Sequence, residues 1–291
     1  ALFPIGSVRY IGRAVAESLG GKLIDPGTRE PDERRLLNVV EEMAVASGTP
    51  VPRVYVMENE RAINAFAAGW SPEDAVVGMT RGAIETLELD DPRAHEVVVR
   101  VVASGICHTD LFAPLMYPLP AVLGHEGAGI VERVGSGVSK VRAGDRVVMT
   151  FGSCGGCALC LQGSPAYCEH GHHLQFGGSR DDGSKTLRQG SEAITGSFFQ
   201  QSSFATYSLA TERSVVKIPA AMPFEAAAPL GCGIQTGAGA VINNLRVRAG
   251  ASIVIFGAGS VGLAAVMAAR IVGANVIIAV DVNLERLELA R

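Results

Sequence analysis

The sequence predicts an α/β chain built from three unlike pieces: a small α+β fragment over residues 1–86, a β-rich domain over residues 87–220, and a strand–helix–strand unit within residues 221–291. Three observations lead to this division. Residues 33–47 carry apolar side chains at helical spacing, strand-like runs broken by glycine begin at Glu96, and two apolar runs flank a glycine-rich turn after residue 251. Hydrophobic residues make up 48% of the 291, so there is ample material for buried cores.

The first fragment combines one amphipathic helix with short strands. Residues 33–47 place five apolar side chains on one helical face, and Gly48 follows as a stop signal. These five are Leu36, Leu37, Val40, Met43 and Ala44. Short β-like runs follow at 54–57, 62–68 and 75–80, and a further helix is predicted over 80–87 with Thr80 as its N-cap. Trp70 is predicted to pack on a turn.

The pattern of residue types changes at two points after this fragment. From Glu96 the runs VVVRVVASG and GIVERV, each punctuated by glycine, are typical of strands in a compact β-rich domain. After Met222 an alanine-rich segment precedes SIVIF, a glycine turn, the helical run LAAVMAARIV and NVIIAV. SIVIF and NVIIAV are apolar without alternation, which is typical of parallel strands that expect cover on both faces.

Composition excludes several classes of partner. The net charge is −4, no run of Lys or Arg stands out and aromatic residues are only 5%, so no nucleic-acid surface is predicted. The most apolar stretch, 263–280, contains Arg270 and is interpreted as a buried helix and strand, with no membrane span. The first residues, ALFPIGSVRY, lack the features of a secretory signal, so a reducing, cytoplasmic location is expected.

Four of the six cysteines lie within fifteen residues. Cys154, Cys157, Cys160 and Cys168 follow the pattern C-x2-C-x2-C-x7-C, and gaps of two residues let successive sulfurs reach one tetrahedral ion. Because sulfur fills all four positions, the pattern predicts a structural zinc that staples a loop and leaves no room for substrate. Disulfides and an iron–sulfur cluster of similar spacing are the alternatives.

The other two cysteines lie far apart in the chain. Cys107 stands in GICHTD and Cys232 in LGCGIQTG, and His125 lies between them in GHEGAG. Two thiols and an imidazole can hold zinc with one coordination position open, but isolated cysteines and histidines are more often core residues. The motifs around these three residues favour a zinc site over ordinary core packing.

From about residue 87 to residue 291 the chain resembles the zinc-containing medium-chain alcohol dehydrogenases. The resemblance rests on GICHTD (105–110), on GHEGAGIVERVGSGV (124–138) with the spacing G-H-E-x2-G-x5-G-x2-V, and on VRAGDRVV (141–148). The four-cysteine segment, PLGCGIQTGAGA (229–240) and GAGSVG (257–262) then follow in the family's order. FFQQSSFATYSLA (198–210) is similar to the branch that acts on aryl or benzyl alcohols.

The resemblance implies a GroES-like catalytic domain followed by a Rossmann nucleotide-binding domain, and it implies roles for individual residues. Cys107, His125 and Cys232 would bind the catalytic zinc, the second of two zinc ions per chain, and Glu126 would lie beside the metal and could exchange with a ligand. Asp110 would orient the imidazole of His125.

Two further residues of GICHTD would act near the alcohol and the cofactor. Thr109 would pass the proton of the alcohol outward, and His108 would lie near the cofactor pyrophosphate and could join that relay. If the motif had no functional meaning, the alternatives would be that Thr109 is an ordinary strand residue and that Asp110 is the N-cap of a helix.

The glycine-rich turn indicates a nucleotide site independently of the resemblance. Gly257, Gly259 and Gly262 follow a strand and open a helix, the context in which G-x-G-x-x-G lets backbone N–H groups approach a pyrophosphate. Asp281 ends the next strand, where its carboxylate could bind both ribose hydroxyls and repel a 2′-phosphate. The turn therefore predicts NAD as cofactor in preference to NADP.

The nucleotide unit departs from the family's pattern in its extent. A doubly wound nucleotide domain commonly has about six parallel strands, and only two can be drawn before Arg291. The apolar strands would then expose sticky edges. The sequence predicts a truncated fusion that binds zinc but oxidises benzyl alcohol with NAD poorly or not at all.

The first 86 residues resemble another family, the HtpX-like membrane-associated zinc metallopeptidases. The similarity lies in AVAESLGGKLID, ERRLLNVVEEMAVASGTPVPRVYVM and INAFAAGWSPEDAVVGMTRGAIETL, and it would place Asn64, Ala65 and Phe66 on a strand beside a substrate cleft. That chemistry needs H-E-x-x-H, which the chain lacks. A seam between two partial genes is predicted near 80–95, with a catalytically dead peptidase remnant before it.

These observations predict an NAD-dependent zinc alcohol dehydrogenase that converts an alcohol, with aryl or benzyl alcohols favoured, to an aldehyde. The rivals are a zinc peptidase remnant and a non-catalytic, zinc-stabilised fusion fragment. The expected partner is a small-molecule alcohol or aldehyde, and a homo-oligomer is compatible with the family. The histidines of HGHH, His170, His172 and His173, are interpreted as a solvated loop beside the cysteine segment in preference to a metal site.

Overall fold

The computed structural model describes residues 11–47, 49–60, 65–68, 75–84, 86–113 and 117–291. The chain divides into two compact units. The first comprises Ala1–Glu88, Pro118–Ala121 and Leu187–Ile194, and the second comprises Leu89–Tyr117, Val122–Thr186 and Thr195–Arg291. The predicted boundary after residue 86 lies close to this division, the predicted boundary after residue 220 lies inside the second unit, and the three-domain division stays a prediction.

Helices and strands are interspersed along the described part of the chain. The early elements are α1 (Ile11–Ser18), β1 (Lys22–Leu23), α2 (Pro31–Ser47), β2 (Arg53–Met57), β3 (Ala65–Ala68), β4 (Val76–Thr80), α3 (Arg81–Ile84) and β5 (Glu88–Leu89). The middle elements are β6 (Glu96–Gly105), α4 (His108–Phe112), β7 (Glu126–Val134), β8 (Arg146–Met149), α5 (Ala158–Leu161), α6 (Gly171–Phe176), β9 (Leu187–Gln189), β10 (Glu192–Ile194), β11 (Tyr207–Thr211) and β12 (Val215–Lys217). The last are α7 (Phe224–Ala227), α8 (Gly233–Gly239), β13 (Ser252–Phe256), α9 (Ser260–Ile271), β14 (Val276–Val280) and α10 (Leu284–Leu289).

The first unit packs α2 against a four-stranded sheet of order β1-β2-β4-β3, in which β2 and β4 run parallel. The amphipathic helix predicted over 33–47 is confirmed as α2, which begins at Pro31, a residue suited to a helix start. Its buried face contributes Leu36 and Val40 to an apolar cluster with Val54 and Val56 of β2. This cluster is the core of the first unit.

The other predictions for this fragment have mixed outcomes. The strands predicted at 54–57 and 75–80 are β2 and β4, and β3 covers Ala65–Ala68 of the run predicted from 62. The helix predicted over 80–87 is wrong in its length, because α3 ends at Ile84 and a strand begins at Glu88. Gly48, Asn64 and Trp70 lie outside the described residues.

The β-rich part of the second unit is a five-stranded antiparallel sheet of order β11-β6-β7-β8-β12. Alternate side chains of these strands point inward, as the period of two in a strand requires. The fully buried members include Val97, Val99, Val131, Val147 and Val215. The long β6–β7 pair forms the centre of the sheet and shifts its register at two points along its length.

The glycine turn joins two parallel strands and a helix, as the sequence predicted. β13 and β14 pair in parallel with Ser252 opposite Val276, and α9 packs on them through Ala265, Ala268 and Ala269. The outward side chains of these strands stay exposed, with Phe256 at 81% and Ile278 at 48%. The expectation of exposed apolar strand surface therefore holds for the described residues.

Helix α8 lies against α9 at very short range, because Gly237 has no side chain. A Cβ at this position would lie 2.0 Å from the carbonyl oxygen of Val261 and 2.9 Å from the Cβ of Ala264. Glycine here has a packing purpose, and it couples α8, which follows Cys232, to the helix of the glycine turn.

We expect Gly237→Ala to destabilise the chain by about 1–3 kcal/mol, since the added methyl would separate α8 from α9. Gly239→Ala is the matched control in the same helix, because its nearest neighbour would be Asn243 Nδ2 at 3.9 Å. Alanine at position 239 should be neutral or stabilise the helix by up to ~1 kcal/mol. Thermal and urea denaturation of both variants provide the measurement, and equal effects would contradict the packing argument.

Candidate metal centre and nucleotide turn

Cys107 and His125 come together because of the pairing between β6 and β7. The register places Gly105, the last residue of β6, opposite Glu126, the first residue of β7. Cys107 lies two residues beyond one strand and His125 one residue before the other. Two side chains that are eighteen residues apart in the chain are therefore neighbours at one end of the sheet.

Cys232 reaches the same point from a different part of the second unit. A 3-10 turn, Ala228–Gly231, approaches β8 so closely that a Cβ on Gly231 would lie 2.0 Å from the carbonyl oxygen of Met149. Cys232 follows this turn directly and precedes α8. The absence of a side chain at Gly231 lets Cys232 approach the ends of β6 and β7.

The structure brings Cys107, His125, Glu126 and Cys232 into one cluster. One ligand atom from each residue lies within 4.8 Å of the others. His125 is only 1% exposed, and its Nε2 is a buried polar atom without a hydrogen-bond partner in the part of the chain that the structure describes. A buried nitrogen of this kind is costly unless it coordinates a metal. Two thiols and an imidazole nitrogen that is free to coordinate are a suitable set of ligands for zinc.

Asp110 fixes the imidazole from the opposite side. The Nδ1–H of His125 donates to Oδ1 of Asp110 (2.9 Å), while Oδ2 accepts from the backbone N–H of Cys107 (2.9 Å). Oδ1 also accepts from the N–H of Gly124 (3.2 Å). One buried carboxylate thus links both donor segments and turns Nε2 toward the cluster. The alternative of Asp110 as a helix N-cap is wrong, because Cys107 is the N-cap of α4 and Asp110 its third residue.

The ionisation of these groups reflects crowded negative charge. Burial raises the pKa of Cys232 well above its usual value, and the neighbouring Cys107 and Glu126 raise it further. For Cys107 burial acts in the same direction, but hydrogen bonds with Thr109 outweigh it and the pKa falls. Burial lowers the pKa of His125, yet Asp110 more than compensates, so it rises. Such a group of acidic side chains is stabilised by a cation at its centre.

Glu126 lies against a gap that glycine leaves. A Cβ on Gly105 would lie 2.2 Å from Oε2 of Glu126, and Oε1 accepts a hydrogen bond from the N–H of Gly233 (3.3 Å). The carboxylate therefore spans the two segments that carry Cys107 and Cys232. It is buried and within ligand distance of the cluster.

Thr109 and His108 lie at the outer side of the cluster, in the first turn of α4. The Oγ1 of Thr109 is 3.7 Å from the Sγ of Cys107. Thr109 is half-buried and His108 exposed. The alternative of Thr109 as a strand residue is wrong, because Thr109 lies within α4. The increase in exposure from Thr109 to His108 would suit a path for a proton to solvent. Such a path stays a prediction.

The four-cysteine segment forms a second cluster of donors. The sulfurs of Cys154, Cys157, Cys160 and Cys168 all lie within 4.8 Å of one another. All are free thiols, with 3.9 Å between the sulfurs of Cys154 and Cys160, so the structure contains no disulfide here. Backbone N–H groups of Cys160 and Glu169 lower the pKa of Cys157 to about 6, which favours the thiolate that a metal binds. A tetrahedral ion fits this set of donors.

The glycine turn between β13 and α9 has the geometry of an anion site. Gly257 has a φ of +91°, and a Cβ on Gly262 would lie 1.7 Å from the carbonyl oxygen of Gly257. Both positions therefore require glycine. A Cβ on Gly259 would meet no atom within 4 Å, which leaves open space at the start of α9 for a phosphate.

Asp281 lies beside this turn, at the end of β14. Its carboxylate accepts hydrogen bonds from the N–H groups of Ala258 (2.6 Å) and Asn283 (2.8 Å), and these bonds lower its pKa. The structure thus brings together four of the five residues predicted to bind the nucleotide. For the fifth, His108, no contact with the turn is seen among the described residues.

Sequence reasoning missed the segment 197–204, which lies directly against the candidate metal centre at His125. The ring of Phe199 stacks on the imidazole of His125 with centroids 4.7 Å apart, and Phe198 meets the same ring edge-on at 5.6 Å. The amide of Gln201 donates to the carbonyl oxygen of His125. In the sequence, the run FFQQSSF indicates only a likeness to one branch of a family, because neither its periodicity nor its residue types indicate contact with a ligand.

The histidines of HGHH form no third cluster of metal donors in the described part of the chain. The Nε2 of His173 lies 3.8 Å from Oδ1 of Asp181, and His172 and His170 are exposed.

Among the described residues, no helix is long and apolar enough to cross a bilayer.

Two family models match overlapping parts of the chain. Residues 93–220 match the alcohol dehydrogenase GroES-like domain, and residues 30–135 match peptidase family M48. The second match confirms the resemblance of the N-terminal fragment to metallopeptidases. It extends past the predicted seam near 80–95, so the two matches share residues 93–135.

Known proteins similar to this chain are alcohol dehydrogenases. A geraniol dehydrogenase from Castellaniella defragrans is 44% identical over 225 residues, which are 76% of this chain and 60% of that protein. A solved alcohol dehydrogenase zinc-binding domain protein from Burkholderia ambifaria is 50% identical, with a TM-score of 0.70, over 78% of this chain and 62% of its own. Benzyl alcohol dehydrogenase from Acinetobacter calcoaceticus is 48% identical, with a TM-score of 0.67, over 71% and 56%.

The chain spans about three fifths of the length of the curated relatives that it matches. The matched domain, these identities and the shared fold agree with the motifs found in the sequence. From about residue 87 to residue 291 the chain is therefore similar to the zinc-containing medium-chain alcohol dehydrogenases, and residues 93–220 match the GroES-like domain of that family.

Proposed function

We propose that this chain carries the site of an NAD-dependent alcohol dehydrogenase, in which Cys107, His125 and Cys232 hold a zinc ion and an alcohol is oxidised to an aldehyde. One observation carries the proposal: a ring nitrogen of His125 lies within 4.8 Å of the sulfurs of two cysteines, and its buried Nε2 has no hydrogen-bond partner among the described residues. Zinc at such a centre supplies Lewis-acid polarisation of an alcohol oxygen, and NAD supplies the acceptor for a hydride.

The side chains of the chain itself would then orient groups and move a proton. Asp110 holds the proton of His125 on Nδ1, so that Nε2 presents its lone pair to the metal. The hydroxyl of Thr109, 3.7 Å from Sγ of Cys107, accepts the proton that the alcohol loses and passes it toward the exposed His108. Glu126, held by the N–H of Gly233, compensates charge beside the metal and can replace a ligand.

An aryl or benzyl alcohol is the substrate class that the surroundings support. Phe199 stacks on the imidazole of His125, and Phe176 and Phe198 lie against Phe199 at centroid distances of 5.2 and 4.9 Å. A cluster of aromatic rings beside a metal centre favours a flat apolar substrate. One of the similar solved structures is a benzyl alcohol dehydrogenase.

The second zinc is proposed at the four-cysteine cluster, where it would stabilise the loop and take no part in the reaction. At the glycine turn, the open space beside Gly259 would accept the pyrophosphate of NAD. Asp281 would bind the ribose, in exchange for its present hydrogen bond with Ala258.

Peptidase activity is not proposed, although a family model for M48 peptidases matches residues 30–135. The two His-Glu pairs in the chain, at His95 and His125, are followed by valines and by glycine and alanine, so neither completes H-E-x-x-H. The side chain of His95 is 76% exposed and lies 3.9 Å from Glu212.

Metal content tests the proposed centre. Elemental analysis should find two zinc ions per chain in the parent and one in Cys107→Ser, because the serine hydroxyl is a poor ligand for zinc. Cys157→Ser is the matched control, since it removes one sulfur from the other cluster and should also leave one ion. A Cys107→Ser chain that retains two zinc ions would contradict the assignment.

Asp110→Asn should weaken binding of the metal at the three-ligand centre by about 10–100-fold while the four-cysteine site stays loaded. The amide keeps the shape of the side chain but lacks the charge that holds the proton on Nδ1. Competition with a chelator measures the affinity. Asp181→Asn, at an exposed carboxylate, is the control, and an equal effect in both variants would speak against the role of Asp110.

Cofactor preference tests the nucleotide turn. The parent should bind NADH in preference to NADPH in a fluorescence titration, and Asp281→Ala should weaken NADH binding by about tenfold or more, since the lost hydrogen bonds involve a charged group. NADH formation from benzyl alcohol should be slow at most in the parent and absent in Cys107→Ser. A chain with two zinc ions that bound no NADH and formed none from any alcohol would contradict the proposed function.

A further inference from the structure

The segment 197–204 adopts a backbone that is unusual for its residues. Ser197, Phe199, Gln200 and Ser202 have φ values of +55°, +51°, +56° and +53°, in the left-handed region that favours glycine. None of them is glycine. Conformations of this kind persist only where surrounding contacts hold them, and they concentrate at functional sites.

The contacts that hold this segment go to the peptide that carries His125. The hydroxyl of Ser202 donates to the carbonyl oxygen of Val122 (2.7 Å), and the N–H of Phe204 donates to that of Leu123 (3.0 Å). The N–H of Ser203 donates to the carbonyl oxygen of Gly124 (2.9 Å). Three successive carbonyls ahead of His125 are therefore bound by three successive residues of the segment.

Gln201 continues this pattern across His125 itself. Its Nε2 donates to the carbonyl oxygen of His125 (2.8 Å), and its Oε1 accepts from the N–H of Gly127 (3.1 Å). The side chain is 2% exposed, and its backbone carbonyl accepts from the hydroxyl of Ser208. One buried amide thus spans the peptide groups on the C-terminal side of the metal-binding histidine.

The imidazole of His125 is fixed on its ring as well as through its backbone. Asp110 binds Nδ1 at 2.9 Å, and the ring of Phe199 stacks on the imidazole at a centroid distance of 4.7 Å and an interplanar angle of 27°. Phe199 and Gln201 are two residues apart in the segment 197–204. The segment therefore contacts the histidine ring and the peptide that carries it.

We propose that Gln201 is a positioning residue for the metal centre, holding the backbone of His125 so that Nε2 points at the two thiols. This inference rests on the proposed function, because it assigns a role toward the zinc that Cys107, His125 and Cys232 would bind. Gln201 does not touch the metal or the substrate. It acts through the peptide groups of His125 and Gly127, which would be buried without partners if the amide were removed.

The role of Gln201 can be separated from general stability within one sample. ¹¹³Cd NMR of the full chain loaded with cadmium gives separate resonances for a site of four sulfurs and a site of two sulfurs with one nitrogen. Gln201→Met keeps the length and volume of the side chain and removes both hydrogen bonds. Gln200→Met is the matched control, because the adjacent glutamine contacts Thr211 (3.5 Å) and its side chain has no bond to residues 122–127.

We expect Gln201→Met to weaken cadmium and zinc binding at the mixed site by about 10–100-fold, with a shifted or broadened resonance. The four-sulfur resonance should be unchanged, and Gln200→Met should match the parent in both. Gln201→Glu, which keeps the acceptor for the N–H of Gly127 and loses the donor to His125, should show an intermediate affinity.

Three results would overturn the inference. They are an unchanged mixed site in Gln201→Met, an equal loss in Gln200→Met, or an equal loss at both metal sites that indicates general unfolding. Failure of the proposed function looks different, because the parent chain would then show the four-sulfur resonance alone.

Discussion

The pairing of Gly105 with Glu126 is the constraint on which the candidate site depends. This register places the ends of β6 and β7 side by side, and Cys107 and His125 follow within two residues of it. A slip of one residue would reverse which face each side chain meets. The buried valines of β6 and β7 fix the register, so the core of the β-rich part also determines the distance between a thiol and an imidazole.

Close backbone approach supplies the third donor. Gly231 lies against the carbonyl of Met149 and Gly237 against that of Val261, so the segment with Cys232 is held between the sheet and α9. The helix that opens at the glycine turn therefore packs on the element that follows Cys232, a candidate metal ligand. The candidate nucleotide turn and the candidate metal centre share one packed framework.

Much of the secondary structure could be predicted from patterns within single segments of the sequence. The helix α2, the strands β2, β4, β13 and β14 and the helix α9 all follow from apolar periodicity and glycine punctuation, since such signals lie within one segment. The helix predicted over 80–87 was too long, because α3 ends at Ile84 and β5 begins at Glu88. The family resemblance was confirmed by the comparisons. The roles of the site residues remain predictions, although the structure brings their donor atoms together.

The sequence by itself determined the donors: six cysteines in two patterns, a histidine in GHE, an aspartate in CHTD and glycines at the turn. Only the tertiary structure decided which atoms meet, and it added the strained segment 197–204 with Gln201 and Phe199. The physical reason is that residue type and spacing report local backbone preferences and ligand chemistry. The contacts of Gln201 join residues more than seventy positions apart, and such contacts depend on the packing of the whole second unit.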